Sequence, residues 1–308
     1  MKREQNGLNL LLAVDKPEGI SSHDVVNAVR RSLGERRVGH AGTLDPLASG
    51  LMIVGVGQAT RLMGLITATT KTYIAQIKFG SATSTDDREG EVIRTARVPE
   101  VLNKTAFARQ VLANLKGTHE QVPPAYSAIS VNGKRAYALA REGKQVRLRP
   151  RTIEIIDAKL LSLEPDEREP FWDCLFTVSK GTYIRSIARD LGESLNTAAC
   201  LSGLRRTSVG PITLRDAHTL KDIEQAGALG IENFALDPVS ALQVPAVELS
   251  DQQIEYLLQG KVPQIDTAVA DGSRIAFAGK HKLWGVWECK GTSLKCVANF
   301  MQGIVGVA

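Results

Sequence analysis

Gly39-His40-Ala41-Gly42-Thr43-Leu44-Asp45-Pro46-Leu47-Ala48-Ser49-Gly50 runs directly into the apolar stretch Leu51 to Val56, and no other part of the chain is as dense in turn-forming and polar residues. Gly39, Gly42 and Gly50 open backbone shapes that are closed to other residues, and Pro46 biases Asp45 away from the helical region. The stretch therefore predicts a tight, exposed loop delivered onto a buried strand. An aspartate before proline is most often a turn residue, yet reactive groups concentrate on loops held by a rigid sheet, so Asp45 stands open to either role.

Outward from that loop, strands and single helices are interspersed. Leu8 to Val14 reads as a buried strand, stopped by Lys16-Pro17-Glu18-Gly19. Ser21-x-x-Asp24 has the form of a capping box, and Val25, Val26, Val29 and Leu33 recur at helical spacing until Gly34. Tyr73, Ala75, Ile77 and Phe79 alternate with Thr72, Ile74, Gln76 and Lys78, which is a strand pattern with some apolar character on both faces. Phe107, Val111, Leu112 and Leu115 form an amphipathic helix before Gly117. A strand-like Tyr126 to Val131, an Asn132-Gly133 turn, a helical stretch around Tyr137 to Ala140 and a strand near Thr152 to Ile156 follow. Phe171 to Val178 predicts another strand, and Ile184, Ile187, Ala188 and Leu191 a helix just after Gly181. This order lacks the regular alternation of a parallel sheet, so the fold class is α+β around a mixed, mostly antiparallel sheet flanked by helices. Two prolines bracket Leu236-Asp237-Pro238 to Pro245, which marks a boundary between residues 1–240 and a small β-rich unit over 246–308.

Composition narrows the function classes. A chain of 308 residues with 43% hydrophobic and 23% charged residues can bury a sizeable core, which excludes a disordered or collagen-like protein. No apolar run reaches the roughly 18 residues of a membrane span. The apolar start is cut by Asp15-Lys16-Pro17 without a small-residue cleavage site, so no export signal is read. Cys174, Cys200, Cys289 and Cys296 are too few and scattered for a disulfide framework, which fits a cytoplasmic protein. None forms a C-x-x-C pair, and His23, His40, His119, His218 and His281 stand apart from one another, so no metal site is expected. Gly55-x-Gly57-x-x-Thr60 lacks the third glycine of a dinucleotide loop, and no phosphate loop is present. A cofactor is not expected.

Six ordered motifs carry a resemblance. The Gly39 to Gly50 loop, Asp15-Lys16-Pro17-x-Gly19-x-Ser21-Ser22, Lys71-Thr72-Tyr73, Pro123-Pro124-x-Tyr126-Ser127-Ala128, Lys180-Gly181-Thr182-Tyr183-Ile184-Arg185-Ser186 and Leu204-Arg205-Arg206-Thr207 resemble those of the TruB family of bacterial tRNA pseudouridine-55 synthases. The resemblance spans most of the first 240 residues. It implies the pseudouridine synthase fold and the isomerisation of a uridine in the tRNA T-loop, with no cofactor. By resemblance, Asp45 is the catalytic aspartate, Arg185 the arginine that keeps it charged, and Tyr73 the tyrosine that stacks on the base and takes part in proton transfer. Tyr183 and Leu204 correspond to the wall of the uracil pocket, and His40 to the residue that enters the T-loop once the base has left its stack. Lys16 is read as structural. The tail resembles the family's small PUA RNA-binding domain. The implied partner is the tRNA T-stem-loop, with no membrane and no obligate protein partner, and the chain is expected to be a monomer. Two rival readings are a non-catalytic RNA-binding or RNA-folding protein and a relative of the guided eukaryotic-type synthases.

The net charge, 38 − 33 or +5, is unevenly spread. Residues 133–151 hold Lys134, Arg135, Arg141, Lys144, Arg147, Arg149 and Arg151 against Glu142, which is 7 − 1 or +6 and leaves 5 − 6 or −1 for the rest. The family places a mobile RNA-clamping insertion here, about 120–151, so Lys134, Arg135, Arg141, Lys144, Arg147 and Arg149 are the expected contacts to the RNA backbone. Replacing both Lys144 and Arg147 by glutamate is expected to weaken tRNA binding and flatten its salt dependence; an unchanged salt slope in a filter-binding titration would place the clamp elsewhere.

Overall fold

The computed structural model describes residues 7–67, 69–127, 129–131, 133–143, 148–263, 270–291 and 293–307. By contacts the chain forms two compact units, one of residues up to Thr69 together with those from Ser208 on, and the other of Thr70–Thr207.

In the first unit, the strand Leu10–Lys16 runs antiparallel to Ala48–Val56, from Leu10 opposite Val56 to Lys16 opposite Gly50, and parallel to the short strand His218–Thr219. Val38–Ala41 pairs with the same Ala48–Val56 strand, placing His40 opposite Val54. The helix Ser22–Leu33 begins at the expected capping box of Ser21 and Asp24 and ends on Gly34 in the left-handed region. Its Val25, Val26, Val29 and Leu33 are the buried positions, as their spacing predicts. The strands Ala246–Glu248, Arg274–Gly279, Lys282–Lys290 and Ser293–Val305 form a four-stranded sheet in that order, with the helix Asp251–Leu258 after the first of them. One cluster of that sheet surrounds Phe277 and Trp287, whose rings stack at 4.6 Å. Other residues of it, Val286, Phe300 and Ile304 among them, share a core with Leu11, Ile53 and Leu236, and Pro238–Leu242 between the two prolines is a short helix with Ala241 in that same core.

The second unit is built on a sheet in the order Ala199–Val209, Lys71–Phe79, Phe171–Val178, Arg151–Glu164 and Gly117–Gln121. Residues 71, 73, 75, 77 and 79 are buried, so the alternation read from the sequence sets the inner face. Phe79 meets Trp172 edge-on at 4.7 Å, and the Trp172 indole donates to the Leu102 carbonyl at 2.9 Å, which satisfies its only donor in the interior.

Two local expectations need correction, and a third holds over a longer range. The Gly39 to Gly50 stretch is not one exposed loop, because Val38–Ala41 and Ala48–Val56 are strands and Leu44 and Leu47 are buried, which leaves only residues 42–47 as the turn. Among the described residues of Tyr126 to Val131, only Ser130–Val131 is a strand, and Ala128 lies outside the described residues. The strand expected near Thr152 to Ile156 extends over Arg151–Glu164, with bulges on the ladder it shares with Phe171–Val178. Among the described residues, no helix is long and apolar enough to cross a membrane.

Candidate active site

Asp45 lies half-buried in the turn of the first unit, and the backbone on both sides of it is fixed by the segment that leads into the first helix and by that helix's first residue. The Ser22 hydroxyl, buried, lies 2.8 Å from both the amide nitrogen and the carbonyl oxygen of Leu44. The Gly19 N–H donates to the Pro46 carbonyl at 2.8 Å, and the Ala48 N–H donates to that of Asp45 at 3.0 Å. Lys16 has no exposed surface; its ammonium donates to the carbonyls of Pro17 at 2.9 Å and Ile20 at 2.6 Å, and more weakly to Pro46 at 3.5 Å. An ammonium in the interior is tolerated when carbonyl oxygens replace its water, and here those carbonyls belong to the two segments that frame Asp45. Gly42 and Gly50 have φ of 87° and 103°, so the entry and the exit of the turn both need the freedom of glycine. Gly39, the third glycine of the stretch, does not occupy that region.

The other proposed site residues stand on the second unit. Tyr73 is buried on the strand Lys71–Phe79, opposite Phe176. Leu204, half-buried, is on the neighbouring strand, where the Thr207 hydroxyl donates to the Thr72 carbonyl at 3.3 Å. Tyr183 caps the helix Ile184–Ser194 and is held by reciprocal bonds with the Gln121 amide, its N–H donating at 2.9 Å and its carbonyl accepting at 3.1 Å. Arg185, in the first turn of that helix, is 5% exposed. Its Nη1 donates to the Thr85 carbonyl at 2.9 Å, its Nη2 to the Tyr126 carbonyl at 2.9 Å, and Asp87 lies 3.5 Å from Nη1. Asp87 is itself buried and accepts from the Thr85 hydroxyl at 2.6 Å and the Glu89 N–H at 3.1 Å. A buried guanidinium is thus met by a buried carboxylate and two carbonyls, which removes most of its desolvation cost and fixes its plane. Lys71, on the same inner face as Tyr73, has its pKa pushed down to about 8, first by burial and then by the nearby Arg206.

Asp45 and His40 therefore belong to one unit, and Tyr73, Tyr183, Arg185 and Leu204 to the other. Of the residues expected to meet RNA backbone, Lys134 and Arg135 form a strand of a small hairpin, Arg141 ends the helix Ala136–Arg141, and Arg149 is exposed. Lys144 and Arg147 lie outside the described residues. Sequence reasoning missed Asp87, because Ser84-Thr85-Asp86-Asp87-Arg88-Glu89-Gly90 reads as a solvated charged turn; its one signal is the Thr-x-Asp spacing, which lets the carboxylate accept from a hydroxyl two residues back.

Residues 30–184 match the family described as TruB family pseudouridylate synthase (N terminal domain), and residues 185–243 match the tRNA pseudouridylate synthase B C-terminal domain. The chain is 41% identical over 302 residues to a tRNA pseudouridine synthase B of Arthrobacter sp. (strain FB24), covering 95% of this chain and 97% of that protein. A protein of the same name from Leifsonia xyli subsp. xyli (strain CTCB07) is 41% identical over 296 residues, covering 94% and 96%. Among solved structures, the crystal structure of the archaeal box H/ACA sRNP Nop10-Cbf5 complex contains a similar chain, with a TM-score of 0.67, 22% identity and coverage of 97% of this chain and 89% of that one. At that identity the likeness is one of fold, and it fits a mixed sheet with flanking helices.

Ser22→Ala tests the hold on the Asp45 turn. Leaving the buried polar groups of Leu44 without their hydroxyl partner is expected to cost about 1–3 kcal/mol in urea unfolding. An unchanged midpoint would mean that the turn is held by other contacts.

Proposed function

The chain belongs to the TruB family of pseudouridylate synthases, and from that premise we propose that Asp45 is the carboxylate with which it converts uridine 55 of the tRNA T-loop into pseudouridine. It is a tRNA pseudouridine synthase, an isomerase that acts on uridine in tRNA. In this reaction uracil leaves its ribose, turns, and rejoins through C5. Atoms are rearranged with no net oxidation or reduction, so the chemistry calls for no redox cofactor, and we assign it to side chains alone. A carboxylate assists either by attacking the sugar or by attacking the ring, and both routes need Asp45 ionised. By the resemblance Arg185 is assigned to that need, since a guanidinium beside a carboxyl group opposes the effect of burial on it.

The base must leave its stack before any of this occurs. His40, a flat ring at the strand end preceding the Asp45 turn, takes the vacated stacking space and offsets part of an unstacking cost of a few kcal/mol. Tyr73 stacks on the uracil and moves a proton, while Tyr183 and Leu204 wall the pocket, an apolar surface with a polar rim that suits a flat heterocycle. Lys134, Arg135, Arg141, Lys144, Arg147 and Arg149 hold the T-stem-loop by its phosphates, which gives affinity without sequence preference. Residues 1–240 act as the catalytic part and residues 246–308 as a PUA-like RNA-binding part. The chain works as a cytoplasmic monomer and has room for a further role in tRNA folding.

The observation that carries this reading is the double hold on Asp45, by Ser22 at Leu44 and by Gly19 and Lys16 at Pro46. A turn aspartate of no consequence needs no buried lysine beneath it, whereas a reacting carboxylate gains from a backbone that cannot drift. Asp45→Asn keeps the size of the side chain and removes its charge. It is expected to abolish pseudouridine formation while leaving tRNA affinity in place, and undiminished activity in a carbodiimide-based pseudouridine assay would sink the assignment.

A further inference from the structure

Arg189 lies four residues after Arg185, and on a helix that spacing puts the two side chains on one face, a turn apart. Three directions of its guanidinium are occupied. Nη1 donates to Asp86 Oδ2 at 2.9 Å, Nη2 to the Val122 carbonyl at 2.8 Å, and Nε to Asp190 Oδ1 at 2.8 Å. Arg185 grips the same two segments at neighbouring points, the turn through Thr85 and Asp87 and the entering chain through Tyr126. The two arginines are therefore successive rungs between the same three pieces of chain. Ser186 adds a bond of 2.9 Å from its hydroxyl to the Val122 carbonyl, so that oxygen accepts from two residues of the helix.

The turn is held on its other side as well. The Leu201 N–H donates to the Asp86 carbonyl at 3.0 Å and the Arg88 N–H to the Leu201 carbonyl at 2.9 Å, which ties it to the strand that carries Leu204. Asp86 has φ of 61°, in the left-handed region that a residue other than glycine occupies at a cost. The side chain at this strained position is the one that pairs with Arg189, so the contact helps to fix a backbone shape that the turn does not adopt freely.

We propose that Arg189 is a positioning residue for the isomerisation, holding the Asp87 turn and the Val122 entry to the basic segment against the helix so that the Arg185 guanidinium stays in its working plane. This rests on the reading of Arg185 as part of the active site. The role assigned to Arg189 acts through Arg185 and includes no contact with base or ribose.

The test uses the full chain with unmodified tRNA transcript and measures the single-turnover rate at saturating enzyme, the tRNA dissociation constant, and the melting temperature. Arg189→Ala is expected to slow the single-turnover step by about tenfold or more, the scale of loss that follows a displaced catalytic partner, with the dissociation constant within about twofold. Asp86→Asn is expected to act in the same direction, and the double variant to be no slower than the worse single one, as for two residues in one contact. Arg189→Lys keeps the charge but loses the fork, so it is expected to stay impaired, and it supplies the reading if the alanine variant does not fold. A wild-type rate in folded Arg189→Ala or in Arg189→Lys overturns the proposal. A loss confined to tRNA affinity or to melting temperature overturns it too. Arg185→Lys is run alongside: if it leaves the rate intact, the reading of Arg185 fails by itself, whereas a slow Arg185→Lys beside a normal Arg189 variant refutes only the positioning role.

Discussion

An ammonium removed from water must be met by oxygen atoms, and the burial of Lys16 determines which oxygen atoms those are. Its Nζ reaches the carbonyls of Pro17, Ile20 and Pro46, and its own backbone sits opposite Gly50 on the neighbouring strand. One residue thereby joins the strand, the turn before the first helix, and the turn that holds Asp45. An unmet charge at that depth costs several kcal/mol, so the arrangement is close to all or nothing. The capping box at Ser21 and Asp24 sets where the helix begins, and that start places Ser22 against Leu44. Local signals and a buried charge agree on a single geometry for the Asp45 turn.

The second unit solves the same problem with guanidinium groups. Arg185 is buried with Asp87, and the partly buried Arg189 pairs with Asp86, so two adjacent aspartates in one turn serve two arginines in one helix. A planar fork suits this purpose better than a lysine, because it binds carbonyls and carboxylates in several fixed directions at once. Both units thus place a charged group inside the protein and use the bonds it demands to fix a turn. Such devices stabilise little when compared with an apolar core of similar volume, but removing one partner is costly, which suits sites that must keep one arrangement.

Much of the fold was legible because hydrophobic period and chain punctuation coincide. The helix Ser22–Leu33 has its cap, stripe and terminal glycine in order, and the strand Lys71–Phe79 alternates over its whole length. The strand Ala199–Val209 was not legible, since Arg205 and Arg206 interrupt its apolar pattern, although Arg206 turns out to be fully buried. A charge in the interior contradicts the usual reading of a charge, and only its partners show why it is there. The site divides in the same way. Asp45 could be singled out by the six ordered motifs, whereas simple turn chemistry left it undecided. Asp87 was missed, because a buried carboxylate in a run of charged residues has the composition of a solvated loop and only its Thr-x-Asp spacing sets it apart. The basic segment was visible from composition, since local charge is additive along the chain in a way that burial is not.

We propose that this chain, by itself and through side chains alone, isomerises one uridine of tRNA. The most direct measurement incubates the purified chain with unmodified tRNA transcript in the presence of a metal chelator and maps the modified nucleotide. One pseudouridine is expected, at position 55 of the T-loop, formed without guide RNA or added protein. A transcript left unchanged, or one modified only when metal or other subunits are supplied, would contradict it.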